Sequence, residues 1–100
     1  MRIYISGAIT GVEGAEKNFS QAEQWLVSEG YEVINPLKAN FYLADKLEYE
    51  ELMSVCFNLM DKCSAVFMLP GWKNSLGANR EYGYALGKSM KVYDGEQMAD

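Results

Sequence analysis

A single glutamate, Glu81, lies among small residues near the start of a predicted helix in the stretch "LPGWKNSLGANREYGYALG" at residues 69–87. Residues three and four positions apart share one face of a helix, so the carboxylate of Glu81 is expected beside the methyl groups of Ala78 and Ala85. A carboxylate with open space around it can attack an electrophilic carbon. The alternative is an exposed glutamate that pairs weakly with a basic residue or with solvent.

The start of the same helix also has a chemical consequence. Ser75 is a natural N-cap, and Gly77 and Ala78 keep the first turn free of bulky side chains. Backbone N–H groups and the positive end of the helix dipole are then open to an oxygen-rich ligand. This end of the helix is predicted to form half of a site for a phosphate or a sugar.

Predicted strands and helices alternate along the chain. The strands are expected at residues 2–7, 31–36, 64–69 and 90–93, and the helices at residues 18–29, 45–62 and 75–87. Residues 37–44 show no clear period. Because each parallel connection needs a returning segment and is right-handed, this alternation predicts an α/β fold with a doubly wound parallel sheet, Rossmann- or flavodoxin-like, in strand order 2-1-3-4, with helices on both faces.

With that strand order, the chain reverses its winding direction between strands 1 and 3. The loops after these strands, "SGAITG" and "LPGWKNSLG", should therefore open a crevice at the carboxyl ends of the strands, where ligands bind in such sheets. Ser6 and Thr10 could donate hydrogen bonds from the first loop. Trp72 in the second loop could stack on a base, or it could serve in a lid or an interface.

The composition limits the classes of protein and partner. The chain has 100 residues, 49% of them hydrophobic, which is enough for one domain, expected over residues 1–93 with a polar, fraying tail at residues 94–100. A net charge of −5 with nine scattered basic residues argues against a nucleic-acid polymer as partner. No apolar run reaches the roughly 18–20 residues of a membrane span, so we expect a cytoplasmic protein without membrane contact.

The cysteines do not indicate a metal or redox site. Cys56 and Cys63 lie seven positions apart, and the chain contains no histidine, so neither the usual zinc spacings nor a Cys–His nucleophile pair is possible. No metal and no cofactor are expected. The helical neighbours of Cys56 are apolar, and we expect this thiol to be buried and unreactive.

Three blocks together resemble a known superfamily. They are "IYISGAITG" at residues 3–11, "NF" at residues 18–19 followed by "GYEVINP" at residues 30–36, and the stretch at residues 69–87. In this combination the chain resembles the nucleoside 2-deoxyribosyltransferase-like superfamily, particularly its small bacterial and phage branch. The resemblance implies a glutamate nucleophile that attacks the anomeric carbon of a 2-deoxyribosyl group and releases the base. Water or another base then resolves the glycosyl-enzyme.

The resemblance also implies roles for individual residues. Glu81 takes the place of the nucleophile, and Tyr4 takes that of the aromatic residue that orients the carboxylate. Gly7, Ser75 and Gly77 would hold the sugar or its 5′ substituent. The alternative for Tyr4 is a strand residue packed in the core. The other residues predicted to bind substrate lie in the two loops and are Ser6, Thr10, Gly11 and Trp72.

One departure from the superfamily pattern leaves the activity open. Relatives carry an aspartate that helps the base to depart, whereas here that position and the acidic position after it hold Cys56 and Ser64. General acid–base assistance is typically worth about 10²–10⁴ in rate. Asp61, five positions after Cys56, would be rotated by about 140° on a helix and would face away. The alternatives are an N-glycosidase or deoxyribosyltransferase and a binding protein that holds a nucleotide or nucleotide-derived signal in the same crevice. A third is a structural or interaction protein with a vestigial crevice, in which Trp72 and the tyrosines form a subunit contact.

The sequence and the superfamily resemblance indicate a general class of ligand and an oligomeric protein. The first loop has Thr10 where relatives that act on nucleoside monophosphates carry an arginine, and Lys73 and Arg80 are the only basic residues nearby. A small nucleoside or nucleotide is the expected partner. Relatives complete their sites with residues from a neighbouring subunit, so a homo-oligomer is also expected.

Overall fold

The computed structural model describes residues 1–98, which form one four-stranded sheet with helices. The strands are β1 (Arg2–Ser6), β2 (Glu32–Ile34), β3 (Ala65–Met68) and β4 (Lys91–Asp94). The helices are α1 (Ala15–Ser28), α2 (Pro36–Ala39), α3 (Tyr49–Met60), α4 (Leu76–Gly87) and α5 (Gly95–Met98), with a 3-10 turn at Trp72–Asn74. None of the helices in the described residues is both long and apolar enough to span a membrane.

The sheet has the predicted topology. All three neighbouring pairs of strands are parallel, and the strand order is β2-β1-β3-β4. The α/β fold class and the strand order are therefore confirmed. β1 and β3 are the central strands, so the loops that follow them lie next to each other at one edge of the sheet.

Each face of the sheet packs against different helices because side chains alternate along a strand. Ile3 and Ile5 of β1 point to the face covered by α1, where Phe19 and Leu26 join them in the core. Tyr4 points to the opposite face, against residues of α3 and α4. Helices on both faces are thus confirmed. The polar residue Ser6, two positions after Tyr4 on β1, lies on this second face and points toward α4.

The long helix before β3 begins later than predicted. Residues 45–48 do not belong to it: α3 begins at Tyr49 because Glu48 caps it. The Glu48 carboxylate accepts from the backbone of Glu51, and the Glu51 carboxylate accepts from the Glu48 N–H at 2.9 Å. This reciprocal pair satisfies two of the free backbone donors at the helix start. The sequence pattern missed the boundary because acidic residues continue on both sides of it.

Two further details of the helices differ from expectation. α1 begins at Ala15, three residues before the predicted start, after Gly14 with a left-handed φ of 78°. Leu86 of α4 is a large apolar residue, which favours burial, but it is 55% exposed. Ala78, Glu81 and Ala85 form the buried side of α4. Because each residue on a helix is rotated by about 100° from the one before it, Leu86 lies to the side of this buried face.

The predicted polar tail at residues 94–100 is only partly described. Asp94 is the last residue of β4, and residues 95–98 form α5. The Asp94 carboxylate accepts from the Glu96 N–H at 2.9 Å, and the Glu96 carboxylate accepts from the Gly71 N–H at 2.8 Å. These contacts tie the start of α5 to the loop after β3. Residues 99–100 of the predicted tail lie outside the described part of the chain.

Candidate functional site

The carboxylate of Glu81 is buried and held by two hydroxyl groups. Tyr4 donates its phenol O–H to Oε2 at 2.7 Å, and Ser6 donates its hydroxyl to Oε1 at 2.6 Å. Glu81 is only 6% exposed. Because each carboxylate oxygen accepts one O–H donor, the arrangement suits the ionised form of the side chain.

Two separate elements bring these three side chains together. Tyr4 and Ser6 are two positions apart on β1 and therefore lie on one face of the sheet. α4 starts at Ser75, whose hydroxyl accepts from the Ala78 N–H at 3.1 Å, and its buried side carries Glu81 over β1. The expectation that Glu81 faces the crevice within reach of Tyr4 is confirmed.

Burial changes the acid–base properties of this group of side chains. It raises the pKa of Glu81, and the hydrogen bonds from Ser6, Tyr4 and the Cys56 thiol oppose that rise without cancelling it. The pKa of Tyr4 is raised well above its ordinary value, first by burial and then by the neighbouring Glu81 charge. Tyr4 therefore remains a protonated donor at neutral pH.

The raised pKa of Glu81 predicts a pH-dependent gain in stability for Glu81→Gln. The native protein binds this proton more tightly than the unfolded chain, so wild-type stability falls as pH rises from the ordinary value of 4.5 through the raised one. Glutamine carries no charge, and its amide can still bond both hydroxyls. Above that range we expect the variant to be more stable by about 0.5–2 kcal/mol, with the difference vanishing in acid. Urea unfolding of both proteins between about pH 4 and 8 measures it.

Glu50→Gln is the matched control for this experiment. The hydrogen bond and charge of Arg80 lower the pKa of Glu50, so its carboxylate contributes stability above its ordinary pKa and loses that contribution as pH falls. This substitution should therefore change stability in the opposite direction at neutral pH. A Glu81→Gln difference that is constant with pH, or negative at pH 8, would contradict the prediction.

A pocket of about 210 Å³ opens beside Glu81. The lining is mostly apolar, and its polar residues are Tyr4, Thr10, Asn40, Tyr49, Ser75 and Glu81. Ligand pockets usually measure about 300–1,000 Å³. The pocket lies below this range, so it would take a small ligand or one part of a larger ligand. Within residues 1–98 no three histidine, cysteine or acidic side chains come together as a metal site.

Most of the predicted site residues meet at this pocket. Its lining includes Tyr4, Gly7, Thr10, Ser75, Gly77 and Glu81. Ser6 is completely buried behind the carboxylate, so it bonds Glu81 rather than a ligand. Gly11 does not line the pocket and adopts a left-handed φ of 73° in an exposed turn.

The structure does not bear out the ligand role considered for Trp72. The residue is 5% exposed, and its ring lies 4.7 Å from that of Tyr82, measured between centroids. Its indole N–H donates to Asp94 at 3.2 Å. The side chain is thus packed in the core under the 3-10 turn, where it is unavailable to a base. The same burial argues against an exposed lid.

Cys56 lines the pocket and is half-buried, so the expectation of a buried thiol is wrong, and its lack of reactivity stays a prediction. Its Sγ accepts from the Asn40 side chain at 3.5 Å. Burial raises the pKa of Cys56, and the Glu81 charge acts in the same direction. The residue is therefore a neutral thiol beside Glu81.

Asp61 points elsewhere, as expected, and accepts from the Tyr84 hydroxyl at 2.7 Å.

The two basic residues considered for phosphate recognition are both paired with carboxylates. Both guanidinium NH₂ groups of Arg80 donate to the carboxylate of Glu50 on α3, each at 2.9 Å. Lys73 pairs with Glu96 at 3.8 Å. Neither residue lines the pocket.

Sequence reasoning missed the wall of the pocket opposite the sheet. Pro36, Leu37 and Asn40 come from α2 and the turn after it, while Tyr49 and Met53 come from α3. A local signal for α2 was present: Asn35 caps it by accepting from the Leu37 N–H at 3.0 Å, and Pro36 occupies its first turn. No pattern in the sequence indicated that this segment would face Glu81.

Comparison with known proteins gives a family but no described relative. No curated protein matches the chain. A family model described as a domain of unknown function, DUF4406, matches residues 1–94. The match spans both strands that form the crevice and all of α4, so the pocket and Glu81 lie within it. The chain belongs to the DUF4406 family.

Proposed function

We propose that this protein is an N-glycosidase or 2-deoxyribosyltransferase-like enzyme that acts on a nucleoside or nucleotide through Glu81. The observation that carries the proposal is the buried carboxylate at the floor of the pocket, with one hydroxyl donor on each oxygen. The resemblance of three sequence blocks to the nucleoside 2-deoxyribosyltransferase-like superfamily supports the same reaction. Both arguments point to the same residue.

The proposed reaction has two steps. One oxygen of Glu81 forms a bond to the anomeric carbon of the sugar while the bond from that carbon to the base nitrogen breaks. The electron pair leaves with the base, which takes up a proton. Water, or the nitrogen of a second base, then attacks the same carbon and releases the carboxylate. Tyr4 and Ser6 hold the carboxylate in one orientation throughout, at 2.7 and 2.6 Å.

Cys56 bears on the fate of the leaving base. It is in the pocket, at the sequence position where the superfamily resemblance leads us to expect an aspartate. A thiol whose pKa is raised by burial is a weak proton donor. We propose that the base takes its proton from water and that turnover is correspondingly slow, by up to about 10²–10⁴ relative to enzymes with a tuned acid.

The same thiol favours a second candidate function, a non-catalytic binding protein for a nucleotide or nucleotide-derived signal. The two functions separate when the purified protein is incubated with 2′-deoxynucleosides and their 5′-monophosphates and free base is measured by chromatography. Released base supports the enzyme. A thermal shift without released base supports the binding protein, since a ligand at about a hundred times its dissociation constant adds roughly 2.7 kcal/mol to native stability.

We further propose that the protein works as a homo-oligomer in the cytoplasm, on small molecules and not on membranes or nucleic-acid polymers. Three large apolar side chains near the pocket are strongly exposed: Phe41 at 69%, Tyr42 at 78% and Leu76 at 71%. Their neighbours Asn40 and Gly77 line the pocket. Such exposure near a site is typical of a subunit contact. Light scattering at high micromolar concentration should give a mass above that of the monomer, and a monomeric mass would count against the proposal.

A further inference from the structure

We infer that the pocket selects an uncharged ligand, a nucleoside without a 5′-phosphate, and that Glu81 is the group that rejects the phosphate. This inference rests on the proposed function and narrows its substrate class. Among the described residues that line the pocket, Glu81 is the only one with a charged side chain, and none is a lysine or an arginine. A phosphate would therefore enter a small, mostly apolar site that already holds a negative charge.

Three basic residues close to the pocket in sequence, Arg80, Lys38 and Lys73, are engaged with carboxylates outside it. Arg80 makes a two-pronged contact with Glu50, at 2.9 Å for both bonds, while its guanidinium lies over the Tyr49 ring. Such a fork is the strong geometry for an arginine and a carboxylate, and releasing it would forfeit both bonds. Lys38 pairs with Glu23 at 3.0 Å, and Lys73 with Glu96 at 3.8 Å.

One feature of the pocket favours an anion, namely the start of α4, but its partial positive charge is smaller than the negative charge of Glu81. The start of α4 contributes Ser75, Gly77 and Ala78 to the lining, and a helix start carries about half a positive charge. The Ser75 hydroxyl already accepts from the Ala78 N–H, which leaves fewer free donors there. Half a positive charge does not offset the full negative charge of Glu81, so the pocket repels a phosphate that carries nearly two.

Matched pairs of ligands test the inference directly. The probes are the four common 2′-deoxynucleosides and their 5′-monophosphates, with affinities measured by titration calorimetry at low salt, where charge effects are largest. At least one nucleoside is expected to bind about tenfold or more tightly than its own monophosphate. Monophosphates that bind as tightly as their nucleosides, or more tightly, would overturn the inference. If no nucleoside or monophosphate binds or is cleaved, the proposed function itself is wrong.

Glu81→Gln separates charge from size as the cause. The amide has nearly the shape of the carboxylate but no charge, so the preference for the nucleoside should fall to within a few-fold of unity in this variant. Glu50→Gln is the control, because it leaves Glu81 intact. Its preference for the nucleoside over the monophosphate should remain larger than that of Glu81→Gln. A preference that stays unchanged in Glu81→Gln would mean that the pocket excludes the phosphate by its size, and the role assigned to Glu81 would be wrong.

Discussion

Under the proposed function, Glu81→Ala is expected to abolish release of free base from a nucleoside, with a rate loss of at least about 10³-fold. The substitution removes the atom that forms the new bond, and none of the other described residues in the pocket lining has a carboxylate to replace it. Glu81→Gln should be equally inactive but should still bind, because an amide can keep hydrogen bonds to Tyr4 and Ser6. Chromatography of the released base measures the effect.

Glu50→Ala is the matched control for the loss of activity. Glu50 is a carboxylate of α3 that pairs with Arg80 at 2.9 Å, is largely exposed and does not line the pocket. Its removal should leave the rate of base release within a few-fold of wild type. Activity above about a tenth of wild type in a folded Glu81→Ala protein would exclude Glu81 as the nucleophile.

Gly7→Ala is expected to destabilise the protein by about 1–3 kcal/mol, because the position has no room for a side chain. A Cβ atom at Gly7 would lie 2.8 Å from Cδ1 and 2.9 Å from Cβ of Leu69. The Cβ of Leu69 is fixed to the backbone just after β3, so the loop after β1 must move. Ser6 precedes Gly7 directly, and its hydrogen bond to Glu81 should lengthen. Urea unfolding measures the loss of stability.

Gly83→Ala is the control for replacing glycine by alanine where the added Cβ meets no side chain. Gly83 lies in α4 and is exposed, and apart from its own chain neighbours and the nearby helix backbone, no atom lies within 4 Å of the position that a Cβ would take. Alanine favours a helix, so this variant should gain about 0.5–1 kcal/mol. Equal stability of Gly7→Ala and wild type would show that the loop adapts at no cost, and that packing against Leu69 does not require glycine there.

The fold and the position of Glu81 on its helix could be predicted because both follow from local patterns, whereas the pairing of Tyr4 with Glu81 came from the superfamily resemblance. The alternation of strands and helices determined the strand order, and helical spacing placed Glu81 beside Ala78 and Ala85. The role of Ser6 was also accessible in principle. It lies two positions after Tyr4 on a strand, so both side chains had to point to the same face.

The remaining features depend on contacts between distant parts of the chain, which a local pattern does not contain. Trp72 is turned into the core by a hydrogen bond to Asp94, 22 residues later. Arg80 is drawn to Glu50 across two helices, 30 residues earlier in the chain. Cys56 is on an apolar stripe, yet it lines the pocket, where Asn40 from the turn after α2 donates to its thiol at 3.5 Å. In each case tertiary packing determined the surroundings of a side chain that the local sequence pattern did not specify.

The hydrogen bonds of Glu81 to β1 have a consequence for how the protein acquires its site during folding. They join residues 77 and 75 positions apart, so each closes a loop of about three-quarters of the chain. Contacts of such high sequence separation carry a large loop-closure entropy and contribute to a high contact order. A fragment that lacks α4 does not contain Glu81, and one that lacks β1 leaves the Glu81 carboxylate without its two hydroxyl donors. The pocket chemistry therefore belongs to the completely folded domain and to no smaller cooperative unit within it.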